Sequence, residues 1–210
     1  MPDQIIELPS NPFGEPIDAF KILQDLGVIL TEGHFRLSSE RHSSVYIEKR
    51  KLYRNQPATY LIARAIARRF EKDVVTLVVG PQTGVLYRNP LADFAAQHLE
   101  GIPSACAMKG PNKTFFFENE EPELVTGKNV LVVDDTLTTG ASLKKVIDLT
   151  RAHGGKVIGA GAICIRGEVT RETLGVDKLE ALIEMRLPDW SVEECPKCRE
   201  GIPITELPVR

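Results

Sequence analysis

Two adjacent carboxylates, Asp134 and Asp135, run directly into Thr136-Leu137-Thr138-Thr139-Gly140. Carboxylates repel phosphate, but they accept hydrogen bonds from hydroxyl groups and ligate hard metal ions. The threonine-rich loop behind them can aim several backbone N–H groups at one point, which suits a phosphate at the start of a helix. The residues in front, Val130 to Val133, are aliphatic and mostly β-branched, and they read as a buried strand. The residues behind set Leu143, Val146, Ile147 and Thr150 at helical spacing. Strand, acidic pair, small polar loop and helix put polar groups at the carboxyl end of a strand, where α/β folds bind ligands. A lone Asp at a strand end is common and often binds nothing; the whole combination is far more specific. A ribose phosphate offers the phosphate, the hydroxyls and the metal-binding edge that the three parts would use.

Other strand ends offer complementary groups. The apolar run Val74 to Val79 leads into Gly80-Pro81-Gln82-Thr83-Gly84, a tight loop whose amides could hold a second anion, though an ordinary turn would also use Gly and Pro. Ile102 to Met108 reads as a strand running into Lys109-Gly110-Pro111-Asn112-Lys113-Thr114, then three phenylalanines and an acidic run, Glu118 to Glu123. This is a hairpin-like excursion that carries Lys109 and Lys113. Lys156 to Ile165 reads as a strand whose Gly and Ala residues allow close packing, and it ends at Arg166. Between Gly33 and Arg54 a basic segment suggests two short strands through Phe35, Leu37, Val45 and Ile47. The remaining elements are helices over Asp18 to Leu26, over Pro57 to Phe70 and from Asn89-Pro90 to Leu99, and a last strand from Leu179 to Met185.

The 210 residues are enough for one α/β domain with a subdomain, and 42% hydrophobic with 26% charged residues is ordinary for a globular enzyme and does not indicate disorder. A net charge of −3 argues against a general nucleic-acid binder. No apolar run has the length of a membrane span, and the N-terminus has no basic start followed by an apolar core, so a cytoplasmic location is expected. Cys106 and Cys164 lie in apolar stretches and read as buried hydrophobes. Cys195-Pro196-Lys197-Cys198 could be a redox pair or half of a zinc site. No second ligand pair is visible along the chain, so no zinc is expected unless two subunits each supply a pair.

The DDTLTTG stretch after a buried strand closely resembles the signature by which type I phosphoribosyltransferases hold phosphoribosyl pyrophosphate (PRPP). Leu37-Ser38-Ser39, His42-Ser43 and Tyr46 resemble a hood segment of the orotate enzymes, and the tail motif W-x-x-E-E-C-P-x-C-x-x-G-I-P resembles one found in bacterial members. The resemblance implies a single α/β domain over 1–210, with a mostly parallel sheet flanked by helices. It divides the chain into a hood at about 17–54, a core at 57–187 and a tail at 188–210. It implies that Asp134 and Asp135 hold the ribose hydroxyls and, through them, Mg²⁺, and that Thr136, Leu137, Thr138, Thr139 and Gly140 hold the 5-phosphate. Gly80, Pro81, Gln82, Thr83 and Gly84 would take the pyrophosphate, Lys109 and Lys113 would cover the leaving group, and Arg166, Ser38 and Tyr46 would bind the base. A homodimer is implied as well, and the charge and the lack of an apolar span leave no nucleic-acid or membrane partner expected. The chain departs from the orotate pattern at Glu40, at Val85 and Leu86, at Met108 in place of an Arg, and in having no His after Lys113. A purine-specific transferase and a non-catalytic PRPP sensor therefore stand as alternatives to orotate transfer.

Overall fold

The computed structural model describes residues 18–37, 40–84, 88–185 and 189–206. The N-terminal part contains α1 (Ala19–Asp25), β1 (Ile29–Leu30), β2 (Phe35–Arg36), β3 (His42–Ser43), β4 (Tyr46–Ile47), α2 (Lys49–Arg54) and α3 (Gln56–Arg68). The middle holds β5 (Leu77–Pro81), α4 (Pro90–His98), β6 (Ser104–Lys109), β7 (Phe115–Phe116) and α5 (Glu121–Val125). The chain then forms β8 (Asn129–Leu137), α6 (Ala141–Ala152), β9 (Lys156–Ile165), α7 (Arg171–Leu174), β10 (Leu179–Glu184), β11 (Asp189–Trp190) and α8 (Pro196–Arg199). None of the described helices is long and apolar enough to cross a membrane.

Two compact units divide the chain, one built on Gln56–Met185 and the other on Phe20–Asn55 with the described residues 189–206. The first is organised by a six-stranded sheet in the order β10-β9-β8-β5-β6-β7, parallel except for the edge strand β7. From β5 the chain moves outward to β6, and from β8 it moves outward the other way to β9 and β10. The order therefore reverses between β5 and β8, and in open parallel sheets ligands bind at the carboxyl ends of strands at such a reversal.

Parallel strands covered on both faces are apolar throughout, and Val130, Leu131, Val132 and Val133 are all fully buried. The apolar stripe of α6, Leu143, Val146 and Ile147, packs into the same core cluster as Val130 and Val132. A Cβ on Gly161 would lie 2.6 Å from Ile66 and one on Gly159 2.7 Å from Phe70, so these glycines let the α3 segment approach β9 closely. Fully burying one such aliphatic or aromatic side chain contributes about 1.5–3 kcal/mol.

The second unit departs from the sequence reading in two ways. Phe35–Arg36 pairs with His42–Ser43, and Tyr46–Ile47 turns back to pair with Ile29–Leu30. The hood and the tail, separate in the sequence reading, lie in one unit because β11 adds to β3, with Trp190 opposite His42 and Asp189 opposite Ser43. Arg41 reinforces this edge through a 3.0 Å bond from Nε to the Asp189 carboxylate. Helix α2 had no periodicity to betray it; Glu48 caps it, accepting from the Arg50 amide.

Candidate active site

The acidic pair is more deeply built into the sheet than the sequence implies. Strand β8 does not stop at Val133 but runs through both aspartates to Leu137. The reason is β9, which extends alongside and pairs Asp134 with Ala162, Thr136 with Cys164 and Leu137 with Ile165. On its other side β8 pairs with β5 only as far as Val132 opposite Val79. The strands thus part at the reversal point, one residue short of the acidic pair. Asp134 and Asp135 are 8% and 4% exposed. Asp134 Oδ1 accepts the Asp135 amide at 2.8 Å, a bond that anchors the first carboxylate against its own backbone.

Beyond Leu137 the chain turns through Thr138 and Thr139 to Gly140, which starts α6 in the left-handed region at φ 72°. A side chain there would be strained, and its Cβ would meet Leu174 and Val169 at 3.0 Å. Gly140 has no side chain with which to cap the helix, and Thr139 Oγ1 accepts the Ala141 amide at a long 3.4 Å. Amides of a 12-residue helix and its positive dipole end therefore lie at this loop.

Across the reversal, β5 continues through Gly80 and Pro81 into the second loop. Gly80 is needed for a protein neighbour: a Cβ there would come within 2.5 Å of the Asn89 side chain. Asn89 is a buried brace, donating from Nδ2 to the Pro81 carbonyl at 2.7 Å and accepting the Ala92 amide at the start of α4 at 3.1 Å. Gly84 sits at φ 57°, and a Cβ there would have no neighbour within 4 Å, so its requirement for glycine is conformational. Gln82 ties this loop to the next strand. Its amide donates to the Ala107 carbonyl at 2.8 Å, and its Oε1 accepts the Lys109 amide at 3.0 Å.

Lys109 is therefore fixed in backbone and exposed in side chain at the end of β6. Lys113 lies in a single 3₁₀ turn, Pro111–Lys113, closed by the Thr114 amide on the Pro111 carbonyl at 3.1 Å and spanned by the Gly110 amide on the Thr114 carbonyl at 2.9 Å. Asn112 and Lys113 both have positive φ, 54° and 58°, a strained pair of residues at the hairpin tip. Lys145 of α6 donates to the Lys113 carbonyl at 2.8 Å, which brings the tip to the helix that begins at the acidic loop.

Arg166 follows β9 directly, and its amide donates to the Leu137 carbonyl at 2.9 Å. The side chain is only 8% exposed, unlike the usual exposed strand-end arginine. Gly167 next to it lies so close to the loop that a Cβ would fall 2.1 Å from the Thr138 carbonyl oxygen. The first unit thus brings together Asp134 to Gly140, Gly80 to Gly84, Lys109 and Arg166 around strand ends.

A family model described as a phosphoribosyl transferase domain matches residues 49–193. The chain belongs to the phosphoribosyltransferase family. A protein of Thermoanaerobacter sp. strain X514 named orotate phosphoribosyltransferase is 32% identical over 202 residues, covering 91% of this chain and 96% of the relative. One of that name from Thermotoga maritima is 32% identical over 193 residues, covering 87% and 93%. Among solved structures, orotate phosphoribosyltransferase from Aeropyrum pernix is 31% identical with a TM-score of 0.60, covering 79% of this chain and 94% of that one. The Mycobacterium tuberculosis enzyme in complex with PRPP is 26% identical with a TM-score of 0.56, covering 80% and 97%. The type I α/β fold expected from DDTLTTG is the fold found.

In this phosphoribosyltransferase, sequence reasoning missed the bracing groups. Asn89 was legible only as a helix cap, Gln82 only as a loop residue, and Gly167 only as a residue after a strand; their roles come from partners far along the chain. Ser38 lies outside the described residues. Tyr46 belongs to the second unit, its ring centroid 5.6 Å from that of Phe35. Cys106 and Cys164 are buried, as expected, and burial pushes each thiol up to about 12. The expectation that Cys195 and Cys198 lack a second ligand pair is corrected. His34 and His42 stand beside them in the same chain, with all four donor atoms within 4.8 Å of one another. Their separation in sequence hid them, because strand pairing across the two chain ends is what assembles the group.

Proposed function

We propose that this phosphoribosyltransferase moves 5-phosphoribose from PRPP to orotate, releasing pyrophosphate. The observation that carries it is the strand reversal, flanked by a phosphate-type loop with an acidic pair on β8 and a braced glycine loop on β5, with a buried arginine pinned to Leu137. Asp134 and Asp135 hold the ribose 2- and 3-hydroxyls and offset the positive charge that develops on the sugar as the C1–oxygen bond breaks. The amides of Thr136 to Gly140 and the start of α6 hold the 5-phosphate. Gly80 to Gly84 hold the pyrophosphate, and Lys109 with Lys113 covers it and excludes water that would hydrolyse PRPP. The base attacks C1 from the opposite face with inversion.

Orotate is already an anion, so the site needs a fixed cation more than a strong base. Arg166 supplies it, as a bidentate partner for the carboxylate. Ser38 and Tyr46 keep the base-covering role that the hood resemblance implies. The donor set of the acidic pair, hard carboxylate oxygens, fits Mg²⁺. When bound with PRPP, the ion supplies counter-charge to the pyrophosphate. A cytoplasmic homodimer belongs to the same reading.

The test is pyrophosphate release from PRPP and Mg²⁺ with orotate, adenine, hypoxanthine, xanthine or uracil. Release with orotate alone is the expected result. Release with a purine alone would move Arg166 to another role, and no release with any base would favour a PRPP sensor.

A further inference from the structure

We propose that His34, His42, Cys195 and Cys198 bind one zinc ion per chain, in a tetrahedral structural site that fastens the C-terminal segment to the N-terminal hairpin. Two nitrogens and two sulfurs are a donor set that zinc takes in closed structural sites. With Zn–N near 2.0–2.1 Å and Zn–S near 2.3 Å, a tetrahedron sets its ligands about 3.4 Å apart for N–N, about 3.6 Å for N–S and about 3.8 Å for S–S. Here His34 Nε2 lies 3.5 Å from Cys195 Sγ and 3.6 Å from Cys198 Sγ. His42 Nδ1 lies 3.2 Å from Cys198 Sγ and 2.9 Å from His34 Nε2. Four of the six donor–donor distances are thus at ligand spacing or a few tenths of an ångström below it, and all six are within 4.8 Å, so a small rearrangement of the side chains would admit the ion.

The hydrogen-bond inventory points the same way. His34 Nδ1 is 2.7 Å from the Ile202 carbonyl, which can only accept, so Nδ1 carries the proton. Nε2 is then left with one lone pair, aimed at the cluster. Three groups crowd that lone pair: His42 Nδ1, Cys195 Sγ and Cys198 Sγ. Hydrogen bonds to one lone pair cannot serve all three, whereas a cation at the centre serves all four donors. A zinc-bound histidine that donates its other ring N–H to a backbone carbonyl is the usual supporting arrangement.

The surroundings explain what such an ion would do. The second unit is small, and its described buried aliphatic and aromatic side chains are Leu23, Val28, Ile29, Phe35, Leu37 and Leu52. Units of this size commonly need a metal or a disulfide to supplement the core. The two ligand pairs lie more than 150 residues apart, the histidines just before β2 and in β3, the cysteines at the start of α8 and within it. Polar bonds also hold the described part of the tail, among them β11 on β3, Arg41 on Asp189, Thr205 with the His34 backbone, and Lys197 on the Glu32 carbonyl. Spacing in the sequence shows only Cys-x-x-Cys; the histidine pair is supplied by the hairpin.

The test uses the full chain, purified under reductant without chelator. Elemental analysis is expected to find one zinc per chain. Exchange for cobalt(II) is expected to give the ligand-field bands of a tetrahedral site and a thiolate-to-cobalt charge-transfer band. Cys198→Ser should lose the metal, Cys198→His should keep it, and Cys106→Ser should leave it unchanged. Removing the ion should speed proteolytic cleavage of the tail about tenfold or more, because it opens locally. Wild-type protein that holds less than about a tenth of an equivalent of zinc and shows no tetrahedral cobalt spectrum overturns the proposal. So does a Cys198→Ser protein that retains a full equivalent.

Discussion

Asp135 is 4% exposed near the end of β8, where the residues on either side of it, Asp134 and Thr136, are paired with β9. Removing its charge while keeping its shape should therefore leave the fold intact and weaken only the stabilisation of the sugar cation. Asp135→Asn is expected to lower the rate of transfer by about 100-fold or more, a size typical of removing one preorganised charge. Circular dichroism and thermal melting should remain those of the parent. In the proposed reaction Arg166 serves the acceptor base. Arg166→Gln keeps a hydrogen-bonding head but loses the cation, and kcat/KM for orotate is expected to fall by about 10- to 100-fold, the size of a charge-assisted bond. Half-saturation by PRPP should change far less. Equal losses for both substrates would show that Arg166 shapes the β8 loop and does not select the base.

At the scale of elements, the β8–α6 loop is shaped from behind by the turn after β9. Gly167 lies against Thr138 so closely that any Cβ forces the loop or the turn to move. Gly167→Ala is expected to raise KM for PRPP about tenfold or more, since misplacement by an ångström is costly where positioning supplies the rate. In the second unit, α2 begins on a buried carboxylate. Glu48 is 3% exposed, and Arg50 bonds it from Nε at 2.8 Å and from Nη2 at 2.6 Å. The Arg50 guanidinium, through these hydrogen bonds, holds the Glu48 carboxyl below its usual value of 4.5. A carboxyl that is more acidic folded than unfolded contributes its full stability above the unfolded pKa and loses it as pH falls through the folded one. Unfolding measured from pH 7 downward should show this loss below about 4.5, and Glu48→Gln should flatten that part of the profile. An unchanged slope in the variant would remove Glu48 from the acid response.

At the scale of the molecule, the centre of the six-stranded sheet carries the site and the stability together. Leu131 is fully buried one residue before the point where β8 leaves β5. Leu131→Ala is expected to cost about 2–5 kcal/mol in denaturant unfolding, from lost burial plus the cavity left behind. Val74 is 74% exposed before β5, and Val74→Ala should stay within about 0.5 kcal/mol of the parent. Both residues are aliphatic and both stand in runs that read as strand, so only their places in the sheet separate them.

The core of the fold was legible because it is written locally. Val130 to Val133, the DDTLTTG loop and the spacing of Leu143, Val146 and Ile147 specify strand, loop and helix within some twenty consecutive residues. Short-range rules of periodicity, capping and turn chemistry reach that far. Where β8 ends was not written there, because its last residues are strand only by pairing with β9. Arg166 could be named from its place after a strand, but its burial and its bond to Leu137 depend on that same pairing. Asn89, Gln82 and Gly167 act on groups from neighbouring elements, so no local pattern marks them. The four-donor cluster is the extreme case: its two halves lie at opposite ends of the chain. Residues 130–150 by themselves determined a strand–loop–helix unit of the α/β type. Only the tertiary structure decided which distant side chains brace it and which histidines meet the Cys-x-x-Cys, since those contacts are made by strand pairing between segments far apart in sequence.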